Sequence, residues 1–318
     1  MIKKILVPLT LFIAINSFSQ AVSMDFPAFA GKTYDFIIFQ GSKQEAIQQD
    51  TIPANGKFTL TIPAKFAPYT GMSRWLITGT AQGGGLDMAI PGHNFSVTCL
   101  SDTPDTNNIV YTGFNAVNEL NSLNTQQQQI IEKFAVVSKA SVLYAKNKKL
   151  YKIFNKEKIK QKEAFETFNK QLKSNPSFNA RFLPIVNLTK GIPPHLTTNE
   201  DEKAGIYNQF ITQELNFNDL YVSGHWTAII RDWVGYQSNV VNDIAQFVKD
   251  FKLISNRITN PTQYTDFIGK LTYYLITYGK DNYVAAIANA VVGSGKVNAY
   301  VGSLQVYIKA IMGKQAPD

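Results

Sequence analysis

Residues able to do chemistry are few and far apart in this 318-residue chain. The histidines are His93, His195 and His225, and the single cysteine is Cys99. A zinc site needs ligands at short, regular spacing, such as HxH or HExxH, and none of these histidines stands in such a pattern. His93 sits in the turn-forming string "PGHN". His195 follows Pro193 and Pro194 in a loop, and His225 precedes Trp226 at a helix start. Each reads as a structural or solvent-facing residue. Thiol–disulfide exchange within one chain needs a second thiol, which is missing here. In "FSVTC" the alternation puts Phe95, Val97 and Cys99 on one strand face and Ser96 and Thr98 on the other, so Cys99 reads as a small buried apolar residue.

Other motifs fail on spacing. "VVGSGKVN" (291–298) has a phosphate-loop flavour, but the first glycine of that motif would fall on Ala290 and the residue after Lys296 is Val297, not Ser or Thr. It reads as a helix–helix connection. "GTAQGGGLD" (79–87) reads as a hairpin loop between two strands. No GxSxG nucleophile elbow occurs. Asp201, Glu202 and Asp281 have no spacing that pairs them as acid and base, and charge in a loop or at a helix start explains them. No catalytic, cofactor-binding or metal-binding residue is therefore assigned, and no cofactor.

The elements that would position any site divide the chain in two. From about 22 to 112 the apolar period is two. In "KFTLTIP", Phe58, Leu60 and Ile62 point one way and Lys57, Thr59 and Thr61 the other, directly after the turn signal Asn55–Gly56. Further strands are expected at 33–39, 45–52, 73–78, 86–90 and 95–99. Short strands at this spacing predict an antiparallel β-sandwich. From about 114 the period becomes helical. Ile130, Phe134, Val137 and Ser141 share a face, as do Phe165, Phe168 and Leu172; Ala204, Tyr207, Ile211 and Leu215; and Trp226, Ile229, Ile230 and Trp233. Val240, Val241, Ile244, Phe247, Val248 and Phe251 predict another helix. Asn260–Pro261 marks the next helix start, and Val297, Tyr300, Val301, Leu304 and Ile308 predict the last helix. Seven to nine helices are expected, with breaks at 174–177, 191–201, 260–262 and 293–296. The aromatic stripes read first as core and second as a ligand groove. The fold class is α+β: an antiparallel β-sandwich over 21–112, an all-α region over 113–311 and a linker over 312–318.

The first twenty residues have their own character. "MIKK" is a positive n-region, "ILVPLTLFIAI" a short apolar stretch broken by Pro8, and "NSFSQA" offers small residues for cleavage near Ser19–Ala21. That is a signal-peptide pattern, and the expected address is the periplasm or cell envelope. No later run reaches the roughly eighteen apolar residues of a membrane span. Lys3 and Lys4 account for two of the +8 formal charge, leaving +6. The exported address argues against nucleic acid as a partner. The lysine excess is local, within Lys146–Lys162, and reads as a solvated helical stretch, with contact to an anionic envelope surface as the alternative.

Four strings in order carry a family resemblance: "GKTYDFIIFQG" (31–41), "DTIPANGKFTLTIP" (50–63), "AIPGHNFSVTC" (89–99) and "IVYTGFNAVNEL" (109–120). With "NPSFNARFLPIV" (175–186) and "FITQELNFNDLYVSGHWTAIIRDWVGY" (210–236), they resemble the N-terminal sandwich and helical regions of exported thioredoxin-like proteins of the TlpA/ResA type. The step into the helices reads Gly113–Phe114 rather than the usual Gly-Ser. The closing "GKQAPD" (313–318) is similar to the approach to a thioredoxin fold. In that family a W-C-x-x-C dithiol does the chemistry, and no position here corresponds to it. The resemblance thus implies a non-catalytic accessory region that docks an envelope protein or a thioredoxin-like domain, or that dimerises. The alternative expectation is a stand-alone envelope module that binds a peptide, glycan or protein. A hydrolase is the least supported reading, since no nucleophile–base pair is visible.

Overall fold

The computed structural model describes residues 20–81, 83–114, 116–297 and 304–311. The leader expected over 1–20 lies outside them except for Gln20, and the closing string 312–318 lies outside them entirely. The fold is α+β, as the change of period at about 114 predicts.

Eight strands form two four-stranded sheets: β1 (Gln20–Asp25), β2 (Thr33–Gln40), β3 (Lys43–Thr51), β4 (Lys57–Ile62), β5 (Thr70–Thr78), β6 (Gly85–Pro91), β7 (Phe95–Thr98) and β8 (Val110–Thr112). One sheet runs β4-β1-β7-β8 and the other β3-β2-β5-β6. Their inner faces share one core. It takes Val22, Leu60 and Val97 from the first sheet and Phe36, Trp75 and Ile90 from the second. Strand β5 shows the alternation plainly, with Gly71, Ser73, Trp75 and Ile77 turned inward and their neighbours half exposed. Phe95, Val97 and Cys99 are buried together, as their spacing predicts.

The sandwich differs from expectation in one pairing. β1 pairs antiparallel with β4 but parallel with β7, so the first sheet is mixed. The cleavage region expected near Ser19–Ala21 overlaps the start of β1 at Gln20 and Ala21, and Val22 and Met24, which follow it directly, are core residues. Because β1 fills the gap between β4 and β7, its direction follows from β4 and opposes the purely antiparallel expectation.

The helices are α1 (Ala116–Leu143), α2 (Lys148–Ser174), α3 (Phe178–Thr189), α4 (Glu200–Gln213), α5 (Phe217–Tyr221), α6 (Trp226–Gly235), α7 (Ile244–Arg257), α8 (Pro261–Thr277), α9 (Asp281–Ser294) and α10 (Leu304–Ile311). That is ten among the described residues, against seven to nine expected. The five-residue α5, held by Asn216 capping Asn218 and Asp219, is too short to show a stripe. Asn260 caps α8 with Pro261 at its first turn, as predicted. Val240 and Val241 do not belong to the α7 stripe. They close a π-helical turn (Tyr236–Val241) that ends in left-handed Asn242, and Asp243 then caps α7 afresh. Of the last predicted stripe, Val297 precedes α10 as irregular chain, while Tyr300 and Val301 lie outside the described residues.

The main helical core joins α3 to α10 around Trp226, Phe247, Phe267 and Leu271. The long α1–α2 hairpin is fastened to it by two small clusters, one around Phe168 and Leu183 and one around Phe134 and Phe165. A buried amide pair joins α1 to α3: Gln127 and Asn187 each donate to the other, at 2.9 and 3.0 Å.

Sandwich and helices meet at the β2–β3 turn. The Gly41 N–H donates to the Tyr221 carbonyl at 2.7 Å, and the Ser42 N–H to Asp266 Oδ2 at 2.8 Å. The Met72 N–H donates to the Val222 carbonyl at 2.8 Å. Beside it, the Tyr69 hydroxyl lies 2.7 Å from the Met72 carbonyl, and burial pushes that phenol well above its ordinary range.

Candidate functional site

A cleft of about 320 Å³ lies between α2, α3, the α3–α4 connection, the end of α4 and α5. That volume suits a few side chains of a peptide or a small ligand. The "NPS" break at 175–177 turns the chain from α2 into α3, and Ser177 caps α3 by accepting from the Ala180 N–H at 3.1 Å. The two helices therefore face each other across the cleft. Leu172, Ala180, Ile185 and Phe210 form an apolar floor. Pro184 lies within α3 and has no N–H to give the Ala180 carbonyl, so the usual helical bond at that step is missing beside the cleft.

The charged rim is largely engaged with itself. Arg181 Nε donates to both Asp219 oxygens, at 3.1 and 3.0 Å, while its Nη1 donates to the Pro176 carbonyl. Burial pushes the Asp219 carboxyl above its ordinary value, with Arg181 opposing the shift. Lys173 pairs with Glu214 at 2.5 Å. His195 Nδ1 lies 2.6 Å from Glu166 Oε1, both half exposed. Asn169 donates to the Pro194 carbonyl at 2.7 Å and so holds the loop that carries His195.

The His195–Glu166 contact is the orienting half of an acyl-transfer triad, and the other half is missing. No Ser, Thr, Cys or Tyr lines the cleft, so the imidazole has no hydroxyl or thiol to activate. Glu214 and Asp219 are each held in an ion pair, with Lys173 and Arg181 respectively. The chemistry this arrangement can supply is recognition: an apolar floor and a rim of both signs.

The structure brings together only one of the residues that sequence reasoning singled out, His195, and supplies it with a partner 29 positions away. His93 lies in the turn between β6 and β7. His225 precedes α6 at the sandwich–helix junction and stacks on Phe182, ring centroids 5.7 Å apart. Lys296 binds no phosphate-like cradle; its Nζ donates to the carbonyls of Ser255 and Ile258 at the end of α7, at 2.7 and 3.0 Å. No group of three or more His, Cys, Asp or Glu side chains among the described residues is placed to hold a metal ion. Arg181, Asp219 and Glu166 carried no signal in the sequence, because their pairings span helices.

His225 gives a pH prediction. Desolvation lowers its imidazole below the ordinary 6.5, with Asp87 opposing. The unfolded chain therefore binds this proton at a higher pH than the folded one. Stability from the neutral ring is full above 6.5 and is lost as pH falls from there through the lowered folded value. The difference in thermal midpoint between wild type and His225→Gln should be constant above pH 6.5 and change below it. Parallel profiles through that window would remove His225 from the titration.

Compared with known proteins, the chain matches no protein-family model, no curated protein and no solved structure.

Proposed function

We propose that this chain binds a partner rather than transforms one, as the docking region of an exported thioredoxin-like thiol–disulfide oxidoreductase. The supporting observation is the α2–α3 cleft, whose floor is apolar and whose lining contains no Ser, Thr, Cys or Tyr. Such a surface recognises an extended peptide. Apolar side chains enter the floor, and backbone groups meet the mixed rim. Cys99 is the chain's single thiol, is fully buried, and has Sγ 3.3 Å from Asn108 Oδ1. A thiol so enclosed does not attack an external disulfide, so redox chemistry would come from a thioredoxin-like domain beside this one. The order of the sequence motifs favours that setting over a stand-alone module.

Panning a random peptide display library on the protein, beside a cleft-filling Leu188→Trp variant, tests the reading. Peptides rich in apolar residues should be enriched on the wild type and lost on the variant. In the same preparation, insulin disulfides should be reduced no faster than by dithiothreitol alone. Failure to enrich any cleft-dependent peptide, or insulin reduction that persists in Cys99→Ser, would overturn the proposal.

A further inference from the structure

From 133 to 156 the chain carries seven lysines and no acidic residue. This stretch is the end of α1, the turn at 144–147 and the start of α2. The fastening clusters of the hairpin reach only as far as Phe134 and Phe165, so the tip stands clear of the helical core. Every residue from 142 to 149 is exposed. The turn itself is well built. Asn147 accepts from the Leu150 N–H at 3.1 Å, and the Tyr144 and Phe154 rings pack across the tip at 5.6 Å.

The tip also displays apolar side chains. Val142 is 75% exposed, Leu143 71% and Ile153 53%, with Tyr144 and Tyr151 beside them. Lys139, Val142, Leu143 and Lys146 stand three, four and seven residues apart on one face of α1 and the turn that continues it. None of Lys139, Lys146, Lys148, Lys149, Lys152 or Lys156 forms an ion pair among the described residues. A merely solvating surface mixes both signs and hides its leucines. Here one sign and exposed aliphatic groups share one rigid tip.

We propose that the α1–α2 hairpin tip docks on an anionic phospholipid bilayer. Charge complementarity selects the occupant. Lysines attract the lipid phosphates over about a Debye length, and the aliphatic and tyrosine side chains then enter the headgroup boundary. Nucleic acid would use the lysines but leave Val142, Leu143 and Ile153 without a role. The long hairpin would hold the cleft at its base away from the bilayer, about 40 Å being the length of a 28-residue helix.

Co-sedimentation of the full chain with vesicles tests this. Phosphatidylcholine vesicles are compared with phosphatidylcholine–phosphatidylglycerol vesicles, at low and at physiological salt. The protein should pellet with the anionic vesicles alone, and less so at the higher salt. The combined Lys146→Glu, Lys148→Glu and Lys149→Glu variant should lower the partition constant by more than about 100-fold, each lost lysine contributing about fivefold and the new carboxylates adding repulsion. A Val142→Ser, Leu143→Ser and Ile153→Ser variant should keep the salt-sensitive part of binding and lose the remainder. All six positions are exposed, and circular dichroism checks that the helices persist. Wild type that stays in the supernatant at low salt would overturn the proposal, leaving an acidic protein as the partner. Equal pelleting of the charge-reversed variant would also overturn it. So would a dimer, seen by sedimentation without lipid, that the serine variant dissolves.

Discussion

Asp250→Ala should destabilise the helical region by about 4 kcal/mol, the loss expected when a carboxylate that accepts several buried hydrogen bonds is removed. Asp250 is 3% exposed on α7. Its Oδ2 accepts from Asn208 Nδ2 at 2.8 Å and from Gln237 Nε2 at 2.7 Å, and its Oδ1 accepts from Gln246 Nε2 at 2.9 Å. Asn208 Oδ1 in turn accepts from Gln237 Nε2 at 2.7 Å and from Trp233 Nε1 at 3.0 Å. The network joins α4, α6, the π-helical turn and α7 through side chains alone. No cation sits in it, so three amide N–H groups hold the carboxylate. Each such bond to a charged acceptor contributes about 1.5–3 kcal/mol, and removing the acceptor orphans buried donors, although the alanine no longer bears the carboxylate's desolvation penalty. Asp250→Asn keeps the shape but places an NH2 where a donor already points. It should cost about half as much. Urea unfolding measures both. Midpoints within error of wild type for the pair would mean that the network contributes no net stability.

Much of this framework is legible in the chain, and the reason is local. Strand β4 and helix α8 can be read from "KFTLTIP" and Asn260–Pro261 because alternation and capping act within a few residues. β1 was not among the expected strands, because it starts inside the cleavage region near Ser19–Ala21 and its strand character depends on partners some 40 and 70 residues away. The split of Val240 and Val241 from α7 depends on Asn242 adopting a left-handed conformation, which no apolar pattern reports. The cleft was the least legible part. Arg181 meets Asp219 and His195 meets Glu166 only after helices pack, so the residues that shape it carry no spacing. The hairpin tip is the opposite case. Its lysines were plain in the sequence, but their readings as solvated face or anionic contact differ only in what else is exposed beside them. The outward orientation of Val142, Leu143 and Ile153 is the observation that favours the proposed anionic contact.

Gly41→Ala should break the coupling between sandwich and helices. Gly41 has φ +61, a region that costs an alanine about 1 kcal/mol or more. A Cβ there would lie 2.3 Å from Asp266 Oδ2 and 2.4 Å from the Tyr221 ring. Neither can simply move away, because these two residues hold the turn: Asp266 accepts from Ser42, and the Tyr221 carbonyl accepts from the Gly41 N–H. Relieving the clash therefore opens the junction, at about 1–3 kcal/mol for overpacking beyond the backbone term. Gly31→Ala is the control. Its φ is also positive, at +79, but a Cβ there meets nothing within 4 Å, so it bears the backbone cost alone. Two signals separate the regions: fluorescence of Trp75, reported for the sandwich in a Trp226→Phe, Trp233→Phe background, and far-ultraviolet circular dichroism for the helices. In that background the two signals should melt together. Adding Gly31→Ala should lower both midpoints alike, because the junction still transmits the loss. Adding Gly41→Ala should split them, because each region then unfolds on its own stability. Coincident melting in the Gly41→Ala protein would mean that the contacts at Tyr221, Val222 and Asp266 align the two regions without energetically coupling them.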